Sequence, residues 1–196
     1  VRRVAVALVH YPVVDRAGAV VTAAITNLDV HDIARSAMTF GVSSYYVVHP
    51  IAAQRQLVER ITAHWIDGSG GKRIPDRVAP MRLVRVVGAL EDALSDYAGA
   101  DPVAVWTTGA SVPPGGGSLS HAEASAALHE TGPPVMIVLG TGWGLHESVH
   151  ALATHRLAGI QGAGAAGFNH LSVRAAAAIL LDRLLGEFSG GKAVLR

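Results

Sequence analysis

The chain has 196 residues, of which 50% are hydrophobic and 16% charged, with a formal net charge of +1. That balance supports a sizeable core and excludes a disordered chain or a histone-like wrapper of nucleic acid. Cysteine is absent, which excludes disulfides and thiolate zinc sites, and no apolar run approaches the ~20 residues of a spanning helix. In chain order, Val4–Val9 reads as a first strand. It is too short for a leader peptide, so a cytoplasmic location is expected. Asn27–Phe40 reads as a helix, with Thr26-Asn27-Leu28-Asp29 fitting a capping box that satisfies orphan N–H groups. Gly41 closes it as a C-terminal glycine would. Ser44–Val48 is the next strand and Ala52–Trp65 the next helix, after which Asp67-Gly68-Ser69-Gly70-Gly71 reads as a flexible loop. Met81–Val87 and Val103–Trp106 are expected strands, separated by a helix over Leu90–Tyr97. Beyond a break at Pro113–Gly117, Ser120-His121-Ala122-Glu123 repeats the capping pattern before a helix at Ala124–Leu128. Val135–Leu139 reads as a buried strand, Leu145–Leu152 as a short helix, Arg156–Ile160 as a last strand and Leu171–Leu185 as the closing helix. The alternation predicts one α/β domain over residues 1–196, a mostly parallel sheet with helices on both faces.

Three of these strands run into loops of small residues. Val103–Trp106 enters Thr107-Thr108-Gly109-Ala110-Ser111, Val135–Leu139 enters Gly140-Thr141-Gly142-Trp143-Gly144, and Arg156–Ile160 enters a glycine- and alanine-rich stretch from Gln161 to Gly167. Ligands of open parallel sheets bind outside the carboxyl ends of the strands, and glycine there lets the backbone approach a ligand closely. Any one loop reads equally well as a tight turn; three together suggest a cofactor pocket. The Gly140–Gly144 loop lacks the Lys-Ser/Thr pair of a phosphate loop, so a nucleotide phosphate fits poorly while adenosine held by backbone groups remains open.

Three other features carry potential chemistry. His146-Glu147-Ser148-Val149-His150 matches the H-E-x-x-H zinc pattern, with His155 and His170 as loose candidates for a third ligand. Polar residues on a helix surface would leave the same trace. On the Asn27–Phe40 helix, His31, Asp32 and Arg35 have the spacing to share a polar face. That cluster reads either as a surface salt bridge or as a substrate site, with Arg35 positioning substrate and a carboxylate taking a proton. Lys72, Arg73, Arg77, Arg82 and Arg85 stand against Asp76 alone, which is either a solvated loop or an RNA-facing segment.

Three segments together resemble the SPOUT class of RNA methyltransferases. Asn27–Val42 resembles the first motif, a helix with a functional Arg and a Phe-Gly-Val ending. Val138–Leu145 resembles the second, a strand followed by a glycine loop, and Phe168–Leu181 the third, which opens the C-terminal helix. The resemblance runs over nearly the whole chain and is nearest to stand-alone bacterial proteins related to the tRNA guanine-N1 methyltransferase domain. It implies a C-terminal deep trefoil knot, which general rules of chain connection disfavour. It also implies a homodimer and an S-adenosylmethionine pocket. Thr107, Thr108 and Gly109 would form one wall, Gly140, Gly142 and Gly144 the second, and Ile160, Gly162, Asn169 and Leu171 the knot side.

By the same resemblance Arg35 is a substrate-binding or catalytic residue. The sequence departs from ribose methyltransferases, lacking a Glu in the Gly140–Gly144 loop and carrying Asp29 where their Asn would fall. The expected activity is therefore methylation of a base in tRNA or rRNA, with Asp29 or Asp32 accepting the proton and no metal required. The alternatives are a zinc hydrolase built on His146, Glu147 and His150, or a knotted RNA- or nucleotide-binding protein without transfer activity.

Overall fold

The computed structural model describes residues 1–110, 112, 116–164 and 168–187. Ser111, Pro113–Gly115 of the second break and residues 165–167 of the last small-residue loop lie outside that set. The chain runs β1 (Val4–Val9), β2 (Val13–Val14), β3 (Val20–Val21), α1 (Asn27–Thr39), β4 (Ser44–Val48), α2 (Ala52–Ile66), α3 (Ser69–Arg73), α4 (Val78–Arg82), β5 (Val84–Val87), α5 (Leu90–Tyr97), β6 (Ala104–Thr108), β7 (Ser118–Leu119), α6 (His121–His129), β8 (Val135–Gly140), α7 (Glu147–His150), β9 (His155–Leu157) and α8 (Val173–Leu185).

Seven strands form one sheet in the order β5-β4-β1-β8-β6-β9-β7, and every pairing in it is parallel. Parallel sheets need both faces covered, and β1 shows why this sequence meets the requirement. All six of its residues are buried. Val4, Val6 and Leu8 join the core with Ile33 of α1, Leu128 of α6 and Leu180 of α8, while Ala5, Ala7 and Val9 face Leu90 and Ala93 of α5 on the other side. The period of two separates the faces, and an apolar residue at each position fills both.

Helix ends follow their expected chemistry. Thr26 Oγ1 accepts from the Asp29 N–H at 3.2 Å and donates to Asp29 Oδ2 at 2.7 Å. Gly41 turns the chain out of α1 with φ +73°, a left-handed conformation that glycine adopts without a steric cost. Ser120 and Glu123 close a reciprocal capping box, with Glu123 Oε2 accepting the Ser120 N–H at 2.8 Å.

Two expectations are corrected. The Asp67–Gly71 stretch is not a loose loop, because Ser69–Arg73 forms a helical turn with Gly70 and Gly71 buried. A Cβ on Gly71 would lie 2.2 Å from the Trp65 carbonyl oxygen, so the glycines permit close packing rather than motion. Met81–Val87 is a strand only from Val84, and its first residues belong to α4. Other strands and helices differ at their ends, with α7 reduced to a single turn. Among the described residues no helix is long and apolar enough to cross a membrane.

His10 follows β1 at the carboxyl edge of the sheet and is fully buried. Its Nδ1 lies 3.2 Å from the Val48 carbonyl oxygen, while Nε2 has no partner among the described residues. Burial pushes its pKa down from 6.5 to about 4, outweighing the hydrogen bond to Val48. A folded-state pKa below the unfolded one means this site destabilises the fold as pH falls from 6.5 toward 4, by ~3 kcal/mol in all. His10→Asn is expected to flatten the decline of urea stability across that interval. An unchanged pH slope would show that His10 does not contribute to it.

Candidate active site

The register fixes the site. Val9 of β1 pairs with Gly140 of β8, and Thr107 of β6 pairs with Val138 of β8, so neighbouring strands end at nearly one level. A cavity opens there, bounded by Thr108, Gly109 and Ala110 after β6 and by the Gly140–Gly144 loop after β8. Ile160 supplies another wall, and Asn169, His170 and Leu171 lead into α8, whose Val173, Ala176 and Leu180 complete the lining.

Two devices hold this shape. Asn169 Nδ2 donates to the Ile160 carbonyl at 2.9 Å, and its Oδ1 accepts the Gly162 N–H at 3.1 Å. One amide thus ties the chain beyond β9 to the approach of α8. In the second loop, Gly142 and Gly144 have φ +61° and +120°, and a Cβ on Gly140 would lie 2.7 Å from the Leu145 nitrogen. This loop has its compact form only with glycine at those positions. Beyond β9, Gly159 passes under the carbonyls of Gly109, Ala110 and Val112, with its N–H donating to Val112 at 2.9 Å.

Of the ten expected cofactor residues, eight line the cavity. The exceptions are Thr107 and Gly162. Thr107 is buried behind it and its Oγ1 lies 2.9 Å from His150 Nδ1. Gly162 acts through its hydrogen bond to Asn169. Trp143 and His170, which are not among the ten expected cofactor residues, also line the cavity, with their rings 4.9 Å apart. Trp143 is 56% exposed, and the Arg16 guanidinium lies over it at 5.8 Å. Its one available signal was a lone bulky side chain inside a glycine loop.

The α1 cluster divides. Asp29 and Asp32 meet on Arg174 of α8, at 3.2 Å from Nη1 and 3.4 Å from Nε respectively. The Asp29 side chain is 8% exposed and both its oxygens hold donors, whereas that of Asp32 is 46% exposed. Arg35 is exposed and forms no ion pair among the described residues. His31 instead turns inward, edge-on to Trp65 at 5.2 Å. None of the three expected catalytic residues lines the cavity.

A family model described as SAM-dependent RNA methyltransferase matches residues 3–186. The chain belongs to that family. A tRNA (guanine-N(1)-)-methyltransferase of Oleidesulfovibrio alaskensis is 40% identical over 184 residues, covering 92% of this chain and 41% of that protein. The chain therefore spans about two fifths of such a relative. An uncharacterized protein of Aquifex aeolicus is 35% identical over 185 residues, with 93% of this chain and 88% of that one covered. Among solved structures, a probable methyltransferase from Bordetella pertussis superposes with TM-score 0.63 at 18% identity, over 93% of this chain and 92% of that chain. The SpoU methyltransferase AviRb of Streptomyces viridochromogenes, solved with AdoMet, gives TM-score 0.58 at 16% identity over 97% and 60%. The fold is the SPOUT methyltransferase fold.

The lining of the cavity suits S-adenosylmethionine. Leu139, Ile160, Leu171 and Leu180 offer apolar walls for an adenine ring, and glycine in the lining loops lets the backbone approach its polar edge closely. The H-E-x-x-H residues are committed elsewhere. His146 caps α7 by accepting the Ser148 N–H, Glu147 pairs with Arg156, and His150 bonds Thr107. Burial lowers the pKa of His150, with Arg156 adding to the effect. Among the described residues no three His, Cys, Asp or Glu converge as a metal site, so the pattern lacks the third ligand a zinc hydrolase needs.

Arg174 bridges α8 to two carboxylates of α1, one of them buried. Arg174→Ala is expected to destabilise the fold by ~1–3 kcal/mol, since Asp29 keeps its burial and loses its cation. Urea denaturation at neutral pH reads this, and a wild-type midpoint would show the bridge to be neutral.

Proposed function

We propose that this chain transfers a methyl group from S-adenosylmethionine to a base of tRNA or rRNA, acting as a cytoplasmic homodimer. The observation that carries the reading is the cavity itself. It joins three strand-end loops and α8 at the carboxyl edge of a parallel sheet, in a chain of this family. The guanine-N1 activity named for its relatives favours a base over a ribose as acceptor. We also infer the trefoil knot, with the chain beyond β9 passing through the segment after β6. The close approach of Gly159 to three carbonyls of residues 109–112 supports that path.

The chemistry asked of the protein is alignment and the handling of one proton. When bound, S-adenosylmethionine supplies an electrophilic methyl group on a sulfonium. The glycine loops hold the donor through backbone groups, and the exposed Trp143 and His170 at the cavity border the approaching base. Alignment of reacting atoms is the larger share of catalysis in such a scheme. Asp32 is the better proton acceptor of the two carboxylates, because it is half exposed while Asp29 is enclosed by Thr26 and Arg174. Arg35, exposed and without an ion pair among the described residues, is placed to hold a phosphate of the substrate. Lys72, Arg73 and Arg77 extend the positive surface for the RNA backbone.

Labelled methyl transfer to bulk tRNA and rRNA, followed by nucleoside digestion, tests this reading. Label is expected in a methylated base and at the ribose of none. Asp32→Asn is expected to slow transfer by ~10²-fold or more while donor binding persists, and an undiminished rate would remove its role.

A further inference from the structure

Away from the cavity, on the other side of α1, lies a second recess between α1 and α2. It is lined by Asn27, His31, Arg60, Ile61, His64 and Trp65. Trp65 organises it. The rings of His31 and His64 stand edge-on to the indole at 5.2 and 5.3 Å, and the Arg77 guanidinium lies over it at 5.4 Å. Arg77 Nη1 also approaches His31 Nδ1 at 3.4 Å, so this cation is held in place by aromatic contacts rather than by a carboxylate. Both that contact and burial lower the pKa of His31, burial being the larger cause.

The charge of this region is unbalanced. Residues 55–85 carry seven Lys and Arg against three Asp and Glu, a local net charge of +4 in a chain whose total is +1. No carboxylate lines the recess. Arg60 has neither an ion pair nor a side-chain hydrogen bond among the described residues, and the three ion pairs there all lie elsewhere. A concave site lined by an exposed arginine and a donor amide, with a second guanidinium held against its tryptophan, suits a phosphodiester through charge-assisted hydrogen bonds.

We propose that the α1/α2 recess binds a backbone phosphate of the RNA substrate, with Arg60 as the direct contact and Arg77, held against Trp65, as a second cation. This rests on the RNA-methyltransferase reading and adds a second anchoring point to it. The geometry makes the two sites parts of one path. The Asp29 and Asp32 side of α1 is tied to Arg174 beside the cavity-lining Val173, while Asn27 and His31 face the recess. The width of one helix, about 10 Å, separates these two faces of α1. An RNA strand reaching the cavity thus has a fixed anion site within a short span.

Fluorescence anisotropy of the full chain with labelled bulk bacterial tRNA, over a series of salt concentrations, tests the proposal. Arg60→Ala is expected to weaken binding by about 3–10-fold and to lower the slope of log Kd against log salt by about one contact. Arg60→Lys should retain most of the slope, because the charge is kept. Affinity for S-adenosylhomocysteine should stay at the wild-type value in both variants. An unaltered tRNA affinity and salt slope in Arg60→Ala would overturn the proposal. So would a wild-type chain that binds no tRNA, while its S-adenosylhomocysteine binding would leave the donor site standing. A change in oligomeric state on sedimentation of Arg60→Ala, with the RNA slope preserved, would assign the recess to a second copy of the chain instead.

Discussion

The parallel pairing of β1, β8 and β6 fixes where every functional group of this molecule can stand. Parallel strands in register end together, and here Val9 faces Gly140 across one such pair. Their following loops must therefore turn away at one edge. The cost of this arrangement is a sheet that must be covered on both faces. The near-continuous apolar character of Val4–Val9 and Val135–Leu139 meets that demand. Small residues then become obligatory at the edge, because three loops and a helix converge on one volume. The close approach of Gly140 to Leu145 and of Gly159 to the carbonyls of Gly109, Ala110 and Val112 are two results of the same crowding.

Helix α1 lies between α8, which lines the cavity, and the proposed RNA-facing surface. One side packs on the sheet through Val30, Ile33 and Ala37. A second side reaches α8 through the carboxylates on Arg174. A third meets α2, where His31 contacts Trp65. Arg35 lies a turn beyond His31 and remains exposed and unpaired among the described residues. This gives a physical reason for the charged residues of α1 to take different roles although their spacing suggested a single cluster. The carboxylates are held by a cation of another helix, one histidine is drawn into an aromatic packing site, and the arginine is left for a partner.

Much of the fold was legible because its signals are local and mutually consistent. Apolar runs marked β1, β4 and β8, while Thr26, Gly41 and Ser120 marked helix ends by chemistry that needs no tertiary context. The failures have equally specific causes. Residues 81–87 alternate in a way that satisfies a strand and a short helix alike, and packing against α1 and α2 decided between them. The glycines at 70 and 71 suggested mobility, but they are small because Trp65 lies against them. Strands β2, β3 and β7 are two residues each, too short to leave a periodic trace. At the site, glycine loops pointed to most of the cavity walls. Arg174 as the shared partner of Asp29 and Asp32, and the pairing of Trp143 with His170, depend on contacts between distant segments that spacing does not encode.

The central claim is that the convergence of these loops makes a methyl-donor site. The most direct measurement is calorimetric titration of the wild-type chain and of Gly140→Val with S-adenosylhomocysteine, with folding of both followed by circular dichroism. The account predicts saturable binding at about one site per chain for the wild type, and its loss in a folded Gly140→Val, where a side chain would enter the space beside Leu145. A folded wild-type chain that binds no S-adenosylhomocysteine would contradict it.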